Sequence, residues 1–186
     1  MALPTPEQVN ELIHERRSIF PKFYTGEPVD EAIIRQLLEN ANWAPTHKFT
    51  EPWRFQVFTG AALERIFTKM ADMYPDKATK LLGMPEVVSH LIAIIMHRDP
   101  NQAIPEVEEI AAVSCAVQNM YLTATAYDLG AYWSTGNGTY SEVMKQYLGL
   151  GEHDRLMGFF FVGHHNMKNP KSIRKPIEDK VTWVRE

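Results

Sequence analysis

The sequence predicts an α+β fold, and three observations point to it. Segments with helical and with strand-like patterns follow one another in an irregular order, so the strict alternation of a doubly wound sheet is missing. Residues 91–96 are apolar on both faces, as in a strand at the centre of a sheet. Residues 106–129 show helical spacing and are apolar nearly all round in their middle, which indicates a helix covered on several sides.

Turn and capping residues divide the first half of the chain into helices and one strand. Thr5 and Asp30 are suitable N-caps, and apolar side chains recur behind each of them at helical spacing. Pro45 and Pro52 mark a loop, and Gly60 ends a short apolar strand. The predicted elements are a helix over residues 6–17, a helix from Asp30 to about residue 42, a strand over residues 54–58 and a helix over residues 61–73.

The second half combines the apolar strand with the long helix, which Gly130 ends. This helix fits either the core of a monomer or a subunit interface, and Cys115 is predicted to lie on its buried face as a small apolar side chain. The remaining predicted elements are strands over residues 131–133, 159–162 and 180–184 and a helix over residues 141–148.

Composition and charge limit the classes of protein to consider. Of 186 residues, 45% are hydrophobic and 23% are charged, which is usual for a folded domain and unusual for disordered or fibrous chains. No repeat or linker divides the chain, so residues 1–186 are predicted to form a single domain. The formal net charge of −4 gives no reason to expect a nucleic-acid partner.

The sequence favours a reducing compartment. Glu7, Glu11 and Glu15 stand where a signal peptide would need an apolar run. The longest apolar run, residues 91–96, is far shorter than the roughly 20 residues that cross a bilayer. The single cysteine, Cys115, cannot form an intramolecular disulfide. We therefore expect a cytoplasmic protein without a membrane partner.

Widespread catalytic and metal motifs are missing from the sequence. It contains no GxGxxG, Walker-type, HExxH, GxSxG or CxxC pattern. His164 and His165 follow a predicted strand without an acidic or histidine partner at ligand spacing, which favours a solvated strand end over a metal site. No metal is expected.

Three segments carry groups that suit ligand binding, although each also has a plainer interpretation. Arg16, Arg17 and Ser18 offer two guanidinium groups and a hydroxyl to a phosphate, or form a basic helix end in solvent. Residues 42–55 form a rigid loop rich in Trp, His, Lys and Pro, or a structural loop whose second Trp fills the core. In residues 130–136 an apolar strand is followed by small polar residues, whose backbone N–H groups either face a ligand or merely belong to the end of a strand.

Taken together, these segments resemble the nitroreductase family of FMN-dependent oxidoreductases. The Arg-Arg-Ser triplet, the Ala-Pro…Pro-Trp-x-Phe loop and the Gly-x-x-Trp-Ser-Thr-Gly segment follow one another in the order and spacing of the family. Gly163 and residues 174–181 extend the likeness, which covers residues 10–184 and is greatest for small, minimal members. The resemblance implies a mostly antiparallel central sheet flanked by helices and an intertwined homodimer, with residues 169–186 reaching the partner subunit.

The resemblance also implies an FMN site at the subunit interface. The arginines would bind the phosphate, residues 43–48 would reach the flavin of the partner subunit, and a backbone N–H near Thr135 or Gly136 would donate to flavin N5. The implied cofactor-binding residues are Arg16, Arg17, Ser18, Trp43, His47, Trp133, Ser134, Thr135, Gly136 and Arg174.

The implied activity is the transfer of a hydride from NADH or NADPH through FMN to a nitroaromatic, a quinone or a similar electrophile. No side chain is expected to serve as a catalytic acid or base. Two alternatives remain: other flavin chemistry on the same fold (flavin fragmentation, dehalogenation or dehydrogenation), and a flavin-binding protein without turnover. The stretch between residues 72 and 88 is short for a substrate lid, which favours the reductase over the other flavin chemistries.

Overall fold

The computed structural model describes residues 3–136, 138–168 and 172–186 of the chain. Two helices begin as their capping residues predict: the Thr5 hydroxyl accepts from the Gln8 amide at 3.4 Å, and the Asp30 carboxylate accepts from the Ala32 amide at 2.8 Å. The helices are α1 (Pro6–Glu15), α2 (Glu31–Asn42), α3 (Ala61–Met73), α4 (Ala78–Leu82), α5 (Glu106–Ala126) and α6 (Glu142–Tyr147).

A four-stranded sheet lies at the centre of the molecule. Its strands are β1 (Trp53–Phe58), β2 (His90–His97), β3 (Gly130–Ser134) and β4 (Asp154–Gly163), in the order β1-β2-β4-β3 with antiparallel neighbours. The predicted α+β class and the antiparallel central sheet are therefore confirmed.

Strand β2 has apolar side chains on both faces because helices cover the sheet on both sides. Ile92, Ile94 and Met96 pack on the side of α2 and α5, whereas Leu91 and Ile95 pack on the side of α3, α4 and α6. The central position predicted for residues 91–96 is confirmed. The same two helical layers lie on opposite faces of β3, which is an edge strand of the sheet.

His90 is the first residue of β2, and the pKa of its imidazole is lowered in the folded protein. It is buried beside the Ser89 hydroxyl, 3.0 Å from its Nδ1, and burial lowers its pKa despite an opposing effect of Glu31. The unfolded chain takes up a proton near the ordinary value of 6.5, whereas the folded chain does so only at lower pH.

Acidification is therefore expected to reduce the free energy of unfolding. The contribution of His90 is complete above pH 6.5 and is lost as the pH falls from there to the lower pKa of the folded state. Urea unfolding at a series of pH values would measure the effect, with His90→Gln as the comparison. An identical pH dependence of stability in His90→Gln and in the unchanged protein would contradict this assignment.

The structure corrects three predictions. Helix α1 ends at Glu15, so residues 16–18 follow the helix instead of forming its last turn. Cys115 is exposed, because the buried stripe of α5 is centred on the opposite side of the helix, at Val113, Val117 and Ala124. The strand predicted over residues 180–184 is not formed: these residues lie exposed, and a strand needs a paired neighbour to be stable.

Candidate functional site

The segment 16–18 lies against β3. Beyond the end of α1 the backbone is extended at Arg16, and the Ile19 amide donates to the Ala131 carbonyl at 2.9 Å. Because this bond links residue 19 to the edge strand, two of the segments singled out in the sequence become neighbours in space.

Tyr121 of α5 joins these two segments through a short hydrogen-bond chain. Its hydroxyl accepts from the Trp133 amide at 2.7 Å and lies 3.2 Å from the Ser18 hydroxyl, while the Arg16 guanidinium lies over its ring, 5.2 Å from the centroid. Since the Tyr121 oxygen already accepts from Trp133, its own proton can be donated to Ser18. The Ser18 proton then becomes available to an acceptor outside the chain.

Three of the predicted cations meet at one cavity, which we call the arginine cavity. Arg16, Arg17 and Arg174 line it together with His14, and its volume is about 540 Å³. The Arg174 guanidinium is held from within the chain, because it donates to the Ile173 carbonyl at 3.0 Å and to the Ser172 hydroxyl. No carboxylate lines the cavity among the residues that the structure describes.

A second cavity, the lysine-rimmed cavity, opens on the face of β3 that is turned away from α5. It has a volume of about 380 Å³ and shares Ser134 with the strand end predicted to lie beside a ligand. Its lining includes Phe20 and Tyr132, whose ring centroids are 4.6 Å apart, and the side chains of Lys22, Lys77 and Lys80.

The predicted residues of β3 divide between its two faces. Ser134 faces the lysine-rimmed cavity, whereas the Trp133 indole is turned to the α5 side, where its Nε1 donates to the Met157 carbonyl at 3.0 Å. Thr135 and Gly136 are exposed beyond the strand, and the Gly136 amide donates to the Ser134 hydroxyl at 3.3 Å. Trp133 therefore reaches the site through its main chain.

Gly158 of β4 allows this strand end to approach closely. It has a φ of 123°, and a Cβ there would lie 2.5 Å from the Ser134 carbonyl oxygen and 2.8 Å from the Trp133 Nε1. Both contacts are far shorter than real Cβ atoms show, so an added methyl group must displace β3.

Gly158→Ala is accordingly expected to lower the free energy of unfolding by about 2–4 kcal/mol, since backbone strain and overpacking add. Gly149→Ala is the matched control: its φ is also positive, at 67°, but a Cβ there meets nothing within 4 Å. The control should cost only about 1 kcal/mol. Urea unfolding measures the free energy of unfolding of both variants. An equal decrease in the two would show that the close approach of β3 to Gly158 does not affect stability.

The segment predicted to reach a partner, residues 43–48, projects from the molecule together with residues 49–51 that follow it. Trp43 is 79% exposed and Phe49 is 89% exposed, and Lys48, Phe49 and Glu51 have positive φ angles of 52°, 55° and 41°. The His47 Nδ1 lies 2.5 Å from a carboxylate oxygen of Glu108 on α5, so its ring is held in place. Within one chain the loop residues Trp43 and His47 line neither the arginine cavity nor the lysine-rimmed cavity.

Other apolar or small side chains are also uncovered. Val107, Ala111 and Cys115 follow one another at helical spacing along the exposed side of α5. In the C-terminal segment, Trp183 is 79% exposed and Ile173 is 92% exposed. Large contiguous patches of exposed apolar side chains are typical of interaction surfaces, whereas single ones are common on any protein.

Residues 13–164 match the nitroreductase family, and the chain belongs to it. This class of protein accounts for the fold and for the order of the three segments. Among individual relatives, "Putative NAD(P)H nitroreductase YdjA" of Escherichia coli K12 is 30% identical over 172 residues, which are 89% of this chain and 93% of the relative.

Solved structures extend the likeness to nearly the whole chain. A nitroreductase-like family protein from Bacillus cereus superposes with a TM-score of 0.86 at 26% identity and covers 98% of this chain and 99% of its own. A structure from Desulfovibrio desulfuricans, solved in complex with FMN, gives a TM-score of 0.78, with the same identity and coverages.

The described residues contain neither a membrane-spanning helix nor a group of side chains placed to bind a metal. No helix within residues 3–136, 138–168 and 172–186 is long and apolar enough to cross a membrane. Those ranges also hold no cluster of three or more His, Cys, Asp or Glu side chains placed to bind a metal ion.

The sequence had not indicated Tyr121 or the three lysines of the second cavity. Tyr121 could have been noticed as the one phenol in a buried stripe with Val113 and Val117 at helical spacing. No comparable signal exists for Lys22, Lys77 and Lys80, since they are surface lysines of separate segments that only the fold brings together.

Proposed function

We propose that the protein is an FMN-dependent oxidoreductase that uses NADH or NADPH to reduce a nitroaromatic, a quinone or a similar electrophilic acceptor. The observation that carries the proposal is the convergence of Arg16, Arg17 and Arg174 on one cavity without a carboxylate among its described lining residues. Bound FMN supplies the hydride chemistry, and the chain holds and orients it. The single thiol of the sequence suits a cytoplasmic location.

The chemistry of the arginine cavity fits a phosphate monoester. Such a group carries close to two negative charges at neutral pH, and guanidinium groups bind its oxygens with charge-assisted hydrogen bonds. The hydroxyl proton of Ser18, left available by the Tyr121 contact, is a further donor beside these cations. Three cations and a hydroxyl therefore suit the phosphate and the first ribityl oxygens of FMN.

The direction of the chain supports a position for the flavin ring at the end of β3. Residues 16–19 run from the arginine cavity to β3, where the Ile19 amide is bonded to Ala131. A cofactor with its phosphate at Arg16 would extend its ring toward Ser134, Thr135 and Gly136. The exposed backbone beyond the strand is the proposed donor to flavin N5, and Trp133 supports it from the main chain.

The proposal includes a homodimer in which residues 43–51 of each subunit complete the site of the other. The exposure of Trp43 and Phe49 and the positive φ angles of Lys48, Phe49 and Glu51 support a role for this loop in contact with a partner. Glu108 fixes the ring of His47, the proposed contact to the partner's flavin. The exposed stripe of α5 and the C-terminal segment supply further surface, although residues 169–171 of that segment lie outside the described residues.

Absorbance spectroscopy of the purified protein tests the proposal. A bound flavin spectrum is expected, and anaerobic addition of NADH or NADPH should bleach it, with recovery on adding a nitroaromatic or a quinone. A colourless protein that stays colourless after incubation with FMN would remove the cofactor assignment. A flavin that neither nicotinamide reduces would leave a binding protein without this activity. Light scattering at several protein concentrations tests the dimer.

A further inference from the structure

The lysine-rimmed cavity carries positive charge that has no role in the proposed binding of the FMN phosphate at the arginine cavity. Lys22, Lys77 and Lys80 line it, and no described lining residue is acidic. Within the part of the chain that the structure describes, none of the ion pairs involves these lysines. The cavity therefore collects positive charge that no carboxylate among the described residues neutralises in an ion pair. Two of the ammonium groups lie over aromatic rings instead: Lys22 over Phe23, 4.8 Å from the centroid, and Lys77 over Tyr74, 5.4 Å from the centroid.

The interior of this cavity is aromatic and apolar. The tilted pair of Phe20 and Tyr132 forms part of its wall, with Leu81, Met84 and Phe161 behind it. A volume of about 380 Å³ suits one small aromatic molecule, which is bound mainly by apolar contact and oriented by a few polar groups. Stacking on the aromatic pair and attraction to the lysines would then act on opposite ends of the same ligand.

We propose that this cavity binds the electron acceptor, and that the acceptor is an aromatic compound carrying a carboxylate or another anionic group. The inference rests on the proposed function, because Ser134 connects the cavity to the strand end where the flavin ring is placed. An anionic substituent would lie among the lysines, and the aromatic body would lie against Phe20 and Tyr132. The reducible group would then point to the edge shared with Ser134.

Steady-state kinetics with a matched pair of acceptors tests this inference. Para-nitrobenzoate and para-nitrobenzamide have the same shape and differ in charge. The protein is expected to show a KM about five- to tenfold lower for the anion, since several partly solvated charges each contribute modestly. The preference should shrink as salt is added, because exposed charges are screened.

Lysine variants make the test specific to the cavity. In Lys77→Met combined with Lys80→Met, the ratio of the two KM values should fall below about twofold, and Lys77→Glu with Lys80→Glu should reverse the preference. Lys69→Met is the control, because Lys69 belongs to α3 and does not line the cavity. An equal KM for both acceptors in the unchanged protein would overturn the inference, and so would variants that change only the KM of NADPH.

Equilibrium binding separates failure of this inference from failure of the proposed function. Titration calorimetry of para-nitrobenzoate against the oxidised protein should give a dissociation constant that rises about five- to tenfold in the double lysine-to-methionine variant. A protein without flavin reduction that still binds the anion through these lysines would contradict only the proposed function. Loss of FMN from the lysine variants would show that the lysines hold the cofactor, which would overturn the inference about the acceptor.

Discussion

Replacing Arg16 with alanine is expected to raise the dissociation constant of FMN about 10- to 100-fold, because each hydrogen bond to a charged group contributes about 1.5–3 kcal/mol. Arg16 is held over the Tyr121 ring and lines the arginine cavity beside Arg17 and Arg174, so its position is fixed before any ligand binds. The measurement is the recovery of flavin fluorescence as FMN dissociates during dilution.

Two further variants show whether the weaker binding of FMN results from the loss of Arg16 from the arginine cavity. Arg35→Ala is the control, because Arg35 lies exposed on α2 in a surface pair with Glu31 and should leave FMN affinity unchanged. Arg16→Lys keeps the charge but loses the planar fork, so an intermediate affinity is expected. If Arg16→Ala bound FMN as tightly as Arg35→Ala does, the phosphate would have to lie elsewhere.

Glu109→Ala is expected to lower the free energy of unfolding by about 3–5 kcal/mol, the usual cost of breaking a buried ion pair by removing one partner. Glu109 has no exposed surface, and its carboxylate accepts from the Arg98 guanidinium at 2.5 Å and from the Asp99 amide at 2.8 Å. The variant leaves the Arg98 guanidinium without its carboxylate partner, although it still donates to the Ile104 carbonyl at 3.2 Å, and leaves the Asp99 amide without its acceptor. Urea unfolding at a fixed protein concentration measures the loss, since the stability of the proposed dimer would depend on concentration by mass action.

Glu106→Ala, in the same turn of the same helix, provides the matched control. Glu106 pairs with Arg155 at 2.8 Å, but both side chains are partly solvated, so the expected loss is below about 1 kcal/mol. Similar losses in the two variants would mean that burial of Glu109 adds nothing and that α5 is anchored by its apolar contacts alone.

Local signals in the sequence predicted much of the fold. Asp30 marks the start of α2 because its carboxylate caps the helix, and Gly60 marks the start of α3. Strand β4 was longer than predicted, since it begins at Asp154, where polar side chains and Gly158 interrupt the apolar pattern. Pairing with β2 overrides that local pattern.

The candidate site was predictable only where its residues are close in sequence. The triplet at Arg16 and the strand end at Ser134 are recognisable as short motifs in the sequence. Only the resemblance to a family implied that both belong to one cofactor site. Tyr121, which links them, comes from a helix whose pattern indicated packing alone. The lysine-rimmed cavity gathers side chains from distant segments, and the family assignment of residues 13–164 says nothing about its charge.

The order of strands in the sheet also constrains how the chain can fold while it is being made. The central pair joins distant segments, with Leu91 opposite Phe161, so β2 leaves the ribosome long before β4. During that interval β2 has only β1 as a neighbour, and the unpaired edge of a strand that is apolar on both faces favours association with other chains. The sheet is therefore completed late in synthesis, and chains that end before β4 are expected to be prone to aggregation.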